Sequence, residues 1–477
     1  MRALPRALWA CAAVAVVHAT LWAALTPPFQ TPDEPGHAGY AQYLAETGKL
    51  PSPTKVGTSG EIGFTGTLIP HGIESRPTWS RAQSERLFEG LGNGTLSRSH
   101  PGEAGSLVNY PPLYYALETI PYRAGYGLDF LDRLFLMRLL SALLAGLTVA
   151  LVFCFLRELL PGTPWVWTIG ALAVAFQPVF GFMSGGVNND DLLYTCGAGL
   201  FFLVARAFRR GLTPGLGVAL GLVSVAGVLT KQSMAALLPG AALGLAWLAW
   251  RTPPAGRRTA AASVAIAGAT VVLPAALWAY ASRHLVGRPP SSIVGGLTSQ
   301  DVDSVATLSG QIGYLWQVVL PPLPSMTDQI DHWIPWWVWT RGFIGIFGWF
   351  EFSFQEWVYY LGAAILGLVA ALAGVELWRR RDALRARWAE LATYALMALG
   401  LVFVIEIAAY RYYATSHHYF EQVRYLFPLL ALYAAIVALA ARGAGRRWGP
   451  AVGAFLVVLF MGHSLFSMFQ VIARYYA

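Results

Sequence analysis

The chain has 477 residues, of which 56% are hydrophobic and only 12% are charged, and its net charge is +8. Soluble domains carry roughly a quarter of charged residues, so this composition excludes a soluble enzyme, a disordered chain and a nucleic-acid-binding protein. Apolar runs of roughly 18–23 residues, long enough to cross a bilayer, indicate a multi-pass membrane protein instead.

These runs predict an all-α protein with about eleven transmembrane helices. The first run follows Arg2 and Arg6 like a signal peptide, but the spans after it favour a retained anchor. The predicted spans lie near residues 7–25, 134–156, 164–183, 190–208, 214–231, 233–250, 259–281, 356–378, 389–409, 424–441 and 450–471.

Arginines set the predicted orientation, because positively charged loops stay in the cytoplasm. The N-terminus and the short loops that contain Arg157, Arg206, Arg257, Arg380 and Arg446 are therefore predicted to be cytoplasmic. The predicted external parts are residues 26–133, 184–189, 282–355, 410–423 and the C-terminus. Many Arg, Ala and Gly residues beside only three lysines fit a GC-rich genome and a bacterial plasma membrane.

Three regions follow from this topology. They are an N-terminal transmembrane module at 1–281 that includes the external loop 26–133, an external loop at 282–355, and C-terminal transmembrane helices at 356–477. Residues 111–125 are too short and too rich in proline to span, so we interpret them as an interfacial helix of the first external loop.

The first external loop opens with Pro32-Asp33-Glu34-Pro35-Gly36-His37. Two adjacent acids at the membrane surface are partly desolvated, which raises carboxylate basicity. If the segment is helical, Asp33 and His37 share one face. The alternative is that Asp33 or Glu34 simply caps the next helix.

Two further features of the first half lie near the predicted external surface. Tyr110-Pro111-Pro112-Leu113-Tyr114-Tyr115 is either a headgroup anchor or a stacking wall for a sugar. Arg138 lies about one turn into the second span, where a permanent charge either meets an anion or snorkels to the surface.

Three more features are polar residues at the external ends of spans. Asn188-Asn189-Asp190-Asp191 opens the fourth span with more polar residues than a helix cap needs. Lys231 is one of three lysines in the chain and stands between two apolar helices. Residues 412–424 bring aromatics, His417, His418, Glu421 and Arg424 to the tenth span, although adjacent histidines on a helix do not face one ion.

All these residues are predicted to lie on the external side. Transfer of a sugar from a polyprenyl-phosphate carrier needs this mixture: cations that hold the departing phosphate and a carboxylate that deprotonates the acceptor hydroxyl. Because phosphate is already a good leaving anion, the reaction needs no strong general acid.

The same residues resemble the GT-C superfamily of polytopic glycosyltransferases, which includes the protein O-mannosyltransferases and the aminoarabinose transferases. The chain resembles most closely the bacterial members with an external Pro-Asp-Glu-Pro-x-His, a Tyr-Pro-Pro-Leu-Tyr-Tyr and a C-terminal Arg-Tyr-Leu-Phe-Pro-Leu. These strings are residues 32–37, 110–115 and 424–429, and the likeness extends from about residue 30 to 430.

The resemblance implies an inverting transferase in which Asp33 is the general base and Glu34 its neighbour. It places Arg138, Lys231 and Arg424 at the carrier phosphate. Candidates for the substrate pocket are His37, Tyr110, Tyr114, Asn189, Asp190, His417 and His418. Several relatives have His where this chain has Tyr110, so that position receives no catalytic or metal-binding role.

The resemblance implies no certain cofactor, because some relatives use a divalent ion and others do not. Mg²⁺ or Mn²⁺ is the candidate, and its ligands would be Asp33, His37 and Asp190. The implied partners are a polyprenyl-phosphate-linked sugar, the lipid bilayer, and an acceptor glycan, lipid or protein. Since the chain stops close to its last span, the external loops are expected to bind the acceptor.

Two other functional classes remain open at this stage. A transporter or flippase of an amphipathic, lipid-linked substrate would place ionisable residues near the bilayer midplane, where this chain has only His18, Glu406 and His463. A non-catalytic scaffold is supported only by the weakness of each motif taken alone. Consumption of a polyprenyl-phosphate sugar separates the transferase from both.

Overall fold

The structure is a computed structural model, and it confirms the all-α prediction. It describes residues 5–51, 57–71, 80–99, 107, 109–285, 307–326, 330, 334–349, 352–419 and 421–476. Its α-helices are α1 Arg6–Leu25, α2 Glu34–Thr47, α3 Gly60–Leu68, α4 Arg81–Gly92, α5 Leu113–Ala124, α6 Phe130–Leu159, α7 Pro164–Ala175, α8 Pro178–Ser184, α9 Asp190–Arg210, α10 Pro214–Val228, α11 Leu238–Arg251, α12 Pro254–Leu285, α13 Leu308–Val319, α14 Gly342–Gly345, α15 Glu356–Arg379, α16 Arg381–Ala386, α17 Trp388–Ser416, α18 Leu430–Gly443 and α19 Gly445–Tyr476.

Shorter elements complete the described fold. Two 3-10 helices, Gln232–Leu237 and Val423–Leu429, lead into α11 and α18, and a π-helix, Pro335–Arg341, precedes α14. The strands β1 Ile346–Phe347 and β2 Phe352–Ser353 pair antiparallel in one small hairpin.

A helix lies at each of the eleven predicted span positions, but not every one of these helices is long and apolar enough to cross a membrane by itself. Nine helices within the described residues are long and apolar enough to cross a membrane, or ten with one bent pair. The pair is α7 and α8, which meet at 61° because Pro178 starts α8 and cannot continue the hydrogen-bond ladder of α7. The predicted span 214–231 forms the 15-residue α10, about 22 Å long and shorter than the hydrocarbon core.

The centre of the helix bundle is built by α6 and α9. Of the most apolar window of α9, 83% is buried inside the protein, against 17% for α12. Helix α6 packs between α1 and α9, and α10 packs between α9 and α12. The peripheral α12 therefore leaves most of its apolar surface for lipid, while α9 carries its N-terminal acids into the protein interior.

Contacts between loops agree with the predicted division into two sides. Asn188 Nδ2 donates to Pro32 O at 3.1 Å, which joins two segments predicted to be external. Arg387 Nη1 donates to Leu159 O at 2.9 Å, which joins two segments predicted to be cytoplasmic. Each contact thus joins two segments that were predicted to lie on the same side of the membrane. Which of the two sides faces the cytoplasm stays a prediction.

The described residues of loop 26–133, which was predicted to be external, include the helices α2 to α5. Residues 111–125, predicted to be a short helix, form the 12-residue α5, which packs on α2 and α6. The buried Arg133 Nη2 donates to Glu61 Oε1 at 2.6 Å and ties α3 to the start of α6. This loop therefore forms a helical layer that covers the ends of the first spans.

Candidate active site

Asp33 stands in the turn between α1 and α2. Its φ of 66° and ψ of 0° are left-handed, a conformation that non-glycine residues adopt rarely and mostly at turns and functional sites. Its side chain makes no capping hydrogen bond to α2, so the capping interpretation is wrong for Asp33. The side chain is instead 35% exposed and faces a cavity.

Arg424, at the start of the 3-10 helix Val423–Leu429, holds Asp33. Its Nη2 donates to Asp33 Oδ2 at 2.7 Å, whereas Oδ1 makes no hydrogen bond within the described residues. Burial raises the pKa of the Asp33 carboxyl, but Arg424, His37 and Lys231 together outweigh this effect, and the pKa lies below its ordinary value. The sequence analysis expected desolvation to raise the basicity of this carboxylate, and the structure shows the opposite direction. Asp33 is therefore ionised at neutral pH.

A second cation lies beside the first. Lys231 Nζ donates to Asp190 Oδ1 at 2.5 Å, and Arg424 Nε lies 3.8 Å from Asp190 Oδ2. No second acceptor lies within hydrogen-bond distance of Lys231 Nζ among the described residues, although the ammonium has three N–H donors. Asp190 thus brings two of the three predicted phosphate-binding cations, Lys231 and Arg424, together next to the Asp33 carboxylate.

The run Asn188 to Asp191 connects several elements. Asn188 binds the Pro32 carbonyl, Asn189 Nδ2 donates to Thr230 O at 3.4 Å, and Asp190 binds Lys231. Asp191 Oδ1 accepts from Ser184 Oγ at 2.7 Å. The four side chains therefore hold three segments, at Pro32, at Thr230-Lys231 and at Ser184, which explains why capping alone did not account for the run.

Glu34 and Arg138 form a buried clamp. Glu34 accepts from Arg138 Nε at 2.7 Å and Nη2 at 2.6 Å, and also from the Phe29 and Val187 amides. Arg138 directs its three remaining N–H donors to the carbonyls of residues 23, 26 and 27. All five guanidinium donors are thus satisfied within the protein, and this geometry does not support the predicted phosphate contact of Arg138.

The predicted aromatic pocket is largely core. Tyr114 is fully buried, and its hydroxyl lies 3.2 Å from Ser141 Oγ. His37 Nδ1 lies 2.9 Å from the Tyr115 hydroxyl, and burial lowers the pKa of His37 to about 3, so the ring is neutral. Only Tyr110 of this group reaches the cations, with Lys231 Nζ 5.5 Å from its ring centroid.

His417 and His418 lie apart from the carboxylate. His417 ends α17 in a left-handed conformation with φ 56°, and both side chains are exposed. Neither lines the cavity that Asp33 faces. The structure therefore does not bring this pair to the other site residues.

The proposed metal ligands do not gather. Asp33 is held by Arg424, Asp190 by Lys231, and His37 by the Tyr115 hydroxyl. No group of three or more His, Cys, Asp or Glu side chains in the described part of the chain is arranged to hold a metal ion. The residues therefore do not fit a resident divalent cation, and we derive no step through one.

The cavity beside Asp33 has a volume of about 470 Å³. Its lining includes Asp33 and Arg424 together with Trp337, Trp349 and Tyr419. Sequence reasoning missed both tryptophans. The signal that could have found them is the tryptophan-rich segment 334–349 in an external loop, where an apolar run is too short to span.

Two of the three ionisable residues predicted near the midplane make structural contacts. His18 Nε2 lies 2.7 Å from Ser464 Oγ and links α1 to α19, and His463 Nε2 lies 2.7 Å from Ile344 O. Glu406 is buried in α17. His18 and His463 thus fix contacts between helices.

A family model described as "Predicted membrane protein (DUF2142)" matches residues 17–433. The chain belongs to this family. The DUF2142 chain is accordingly a multi-pass membrane protein. A search of curated proteins found no match.

Two solved structures of the oligosaccharyltransferase of Archaeoglobus fulgidus are similar to this DUF2142 protein. The apo form has a TM-score of 0.46 and 13% identity over 98% of this chain and 56% of that chain. The form tethered to an acceptor peptide with an NVT sequon has a TM-score of 0.45 and 12% identity over 98% and 55%. This chain thus spans about half the length of that enzyme, and the site geometry must carry any argument about function.

Proposed function

We propose that this protein is an inverting membrane glycosyltransferase of the GT-C type, which moves a sugar from a polyprenyl-phosphate donor to an acceptor hydroxyl on the external face. One observation carries the proposal: Asp33, partly exposed in a cavity, lies beside Arg424 and Lys231 near the ends of membrane helices. A carboxylate with two cations at headgroup depth suits a phosphorylated lipid.

In the proposed reaction, the acceptor oxygen attacks the anomeric carbon while the bond from that carbon to the phosphate oxygen breaks. The proton of the acceptor hydroxyl passes to Asp33 Oδ1. The carrier departs as polyprenyl phosphate, whose negative charge is stabilised by Lys231 and Arg424. Substitution in one step on the opposite face inverts the anomeric configuration.

The ion pair gives this base a second property. In the resting site Arg424 stabilises the Asp33 carboxylate and weakens it as a base. A donor phosphate that binds Arg424 competes for the guanidinium and thereby raises the basicity of Asp33. We propose that donor binding activates the base in this way, so that proton transfer awaits the substrate.

Glu34 and Arg138, two residues close to Asp33, have structural rather than catalytic roles in this proposal. Glu34 and Arg138 brace the turn that carries Asp33, because their hydrogen bonds end within the protein. No step needs a metal, since Lys231 and Arg424 supply the positive charge.

The proposal is tested by donor consumption and donor binding with purified protein. Lys231→Ala and Arg424→Ala are each expected to weaken binding of a synthetic polyprenyl-phosphate sugar by about tenfold or more, as for a lost charge-assisted hydrogen bond. Lys49→Ala and Arg81→Ala, at exposed positions, are the matched controls. Donor that binds but is never consumed by the wild type, with acceptor-containing membranes present, contradicts an enzyme and favours a transporter or scaffold.

A further inference from the structure

The cavity at Asp33 has a second wall that the proposed chemistry does not use. It is built by Trp337, Trp349, Tyr419, Glu421 and Gln422, which we call the distal wall. Glu421 and Gln422 supply a carboxyl and an amide group beside the three aromatic rings. Ligand pockets combine mostly apolar or aromatic linings with a few polar groups that fix orientation, and the distal wall has this composition.

A tyrosine of helix α13 holds Glu421 in place. The Glu421 side chain is almost fully buried, and Tyr314 of α13 donates its hydroxyl to Glu421 Oε1. Tyr314 is itself fully buried against α17, with ring centroids 5.6 Å from Tyr410 and 5.9 Å from Tyr413. A carboxylate is costly to bury unless hydrogen bonds satisfy it, so an external-loop helix fixes this group at the cavity.

The tryptophans are also fixed. Trp349 Nε1 donates to Phe29 O at 3.0 Å, which attaches this ring to the turn that carries Asp33. The Arg341 guanidinium lies 4.1 Å from the centroid of the Trp337 ring. Trp349 is therefore attached to another segment. Trp337 instead stacks with Arg341 of its own π-helix, and Arg341 Nη2 in turn donates to Glu356 Oε1 at 2.8 Å.

Gln422 connects the distal wall to the phosphate-binding cations. Its Oε1 accepts from Arg424 Nε at 2.6 Å. In a polyprenyl-phosphate sugar, a single oxygen separates the phosphate from the sugar ring. A phosphate at Arg424 therefore places the sugar of the donor, rather than the acceptor, next to Gln422 and Glu421.

We propose that the distal wall is the donor-sugar subsite and that Glu421 determines which sugar is accepted. This inference rests on the proposed function. A sugar ring has apolar C–H faces, which suit Trp337 and Trp349, and hydroxyl groups at its edge, which donate to a carboxylate. Glu421 accepts hydrogen bonds from ring hydroxyls, and Tyr314 is the positioning residue that orients its carboxylate.

The test separates binding of the sugar from binding of the phosphate. Affinities of purified protein are measured for farnesyl phosphate and for its glucose, galactose, mannose and arabinose esters. The wild type is expected to bind at least one ester more tightly than farnesyl phosphate. Glu421→Gln is expected to weaken binding of the preferred ester by about tenfold or more, which is the range for a lost hydrogen bond to a charged group. Binding of farnesyl phosphate is expected to stay unchanged.

Matched variants control for folding. Tyr314→Phe keeps Glu421 but removes the hydroxyl that orients it, and it is expected to reduce the same gain by a smaller factor. Glu85→Gln and Tyr360→Phe, at exposed positions, leave all affinities unchanged. A loss of affinity through partial unfolding would affect farnesyl phosphate as well, and this distinguishes it from a loss of sugar recognition.

Failures of the two proposals are distinguishable. Equal affinity of the wild type for every ester and for farnesyl phosphate, or an unchanged sugar-dependent gain in Glu421→Gln, overturns the sugar subsite. An equal loss for esters and farnesyl phosphate in Glu421→Gln also overturns it. Unchanged farnesyl phosphate binding in Lys231→Ala instead contradicts the phosphate site, and with it the proposed function.

Discussion

Asp33 and Glu34 are neighbours in the chain with opposite environments. Asp33 is partly exposed in the cavity and binds one cation through one oxygen, whereas Glu34 is fully buried and accepts four hydrogen bonds. A carboxylate that takes up a proton from a substrate needs an accessible oxygen. A carboxylate that supports a turn needs hydrogen bonds to both of its oxygens. In the proposed function, Asp33 therefore reacts while the adjacent Glu34 supports the turn.

The ion pair of Asp33 predicts a pH dependence. Because Arg424 keeps the pKa of Asp33 below its ordinary value, wild-type kcat/KM is expected to stay level as the pH falls to about 4 and to decline only below it. Arg424→Gln removes this stabilisation of the charged form, so the acidic decline moves to higher pH. The pH profile of kcat/KM measures the shift, with Arg81→Gln as the control.

An acidic decline at the same pH in both proteins contradicts a base held by Arg424. The absolute rate of Arg424→Gln does not enter this comparison, because loss of the phosphate contact lowers it at every pH.

The Glu34–Arg138 clamp predicts a stability effect. Removing one partner of a buried ion pair leaves the other charge without compensation, which costs about 3–5 kcal/mol. Arg138→Met and Glu34→Gln are therefore expected to lower the unfolding temperature of the detergent-solubilised protein strongly. Breaking the exposed Arg81–Glu85 pair by Arg81→Ala costs about 0–1 kcal/mol and is the control. Equal melting of both kinds of variant contradicts a structural clamp.

Sequence reasoning found the individual charges at the site better than their roles. Asp33, Asp190, Lys231 and Arg424 were expected on one side, and the structure brings them into contact. The resemblance implied a phosphate contact for Arg138, but the anion that Arg138 meets in the structure is Glu34. The sequence does not show whether the anion beside Arg138 is a carboxylate of the protein or a phosphate of a ligand, and only the tertiary structure answers this.

At the scale of elements, the link between α8 and α9 packs directly against the turn that carries Asp33. A Cβ placed on Gly186 would lie 2.5 Å from Thr31 Oγ1, closer than real side chains approach. The adjacent Asn188 binds the Pro32 carbonyl in the same turn. The absence of a side chain at Gly186 therefore lets the two segments meet and places Asp33 beside Asp190.

This contact predicts the effect of a single methyl group. Gly186→Ala is expected to destabilise the protein by about 1–3 kcal/mol through overpacking and to reduce transfer, because Asp33 shifts away from the cations. Thermal melting and donor consumption measure the two effects. Gly162→Ala is the matched control, since nothing lies within 4 Å of its added Cβ. Full stability and activity of Gly186→Ala contradict a role for this close approach.

The positions of the elements followed from hydropathy, but their shapes did not. Each predicted span contains a helix, because apolar length is a local property. The 61° bend at Pro178 was not predicted, since proline within an apolar run is compatible with either a kink or a continuous span. Nor was the shortness of α10, which depends on its packing between α9 and α12.

At the scale of the whole molecule, the candidate site joins segments that are far apart in sequence. Asp33, Lys231 and Arg424 come from the two halves of the chain, and the distal wall combines the segment just before Arg424 with one further segment, 334–349. The common side of these segments was predictable from alternation of the spans. Their contacts and the distal wall were not, because long-range packing leaves no periodic signal in one sequence.

The two-sided arrangement predicts the outcome of chemical labelling. In a protein whose three native cysteines are replaced by alanine, Asn93→Cys is expected to react with a membrane-impermeant maleimide added outside intact cells. Asp382→Cys, in a predicted cytoplasmic loop, is expected to react only after the membrane is opened. Both positions are exposed, so access to the reagent decides the result. The reverse pattern contradicts the orientation and places the site in the cytoplasm.

The central claim is that Asp33 is the base of a sugar transfer from a phosphorylated lipid. The most direct measurement is the release of polyprenyl phosphate from polyprenyl-phosphate sugars by purified wild type and Asp33→Asn, with acceptor-containing membranes present. Asp33→Asn is expected to melt and to bind donor like the wild type but to release carrier about 10²–10⁴-fold more slowly, while Asp382→Asn, at an exposed position, is unaffected. Undiminished release by a folded Asp33→Asn protein would contradict the account.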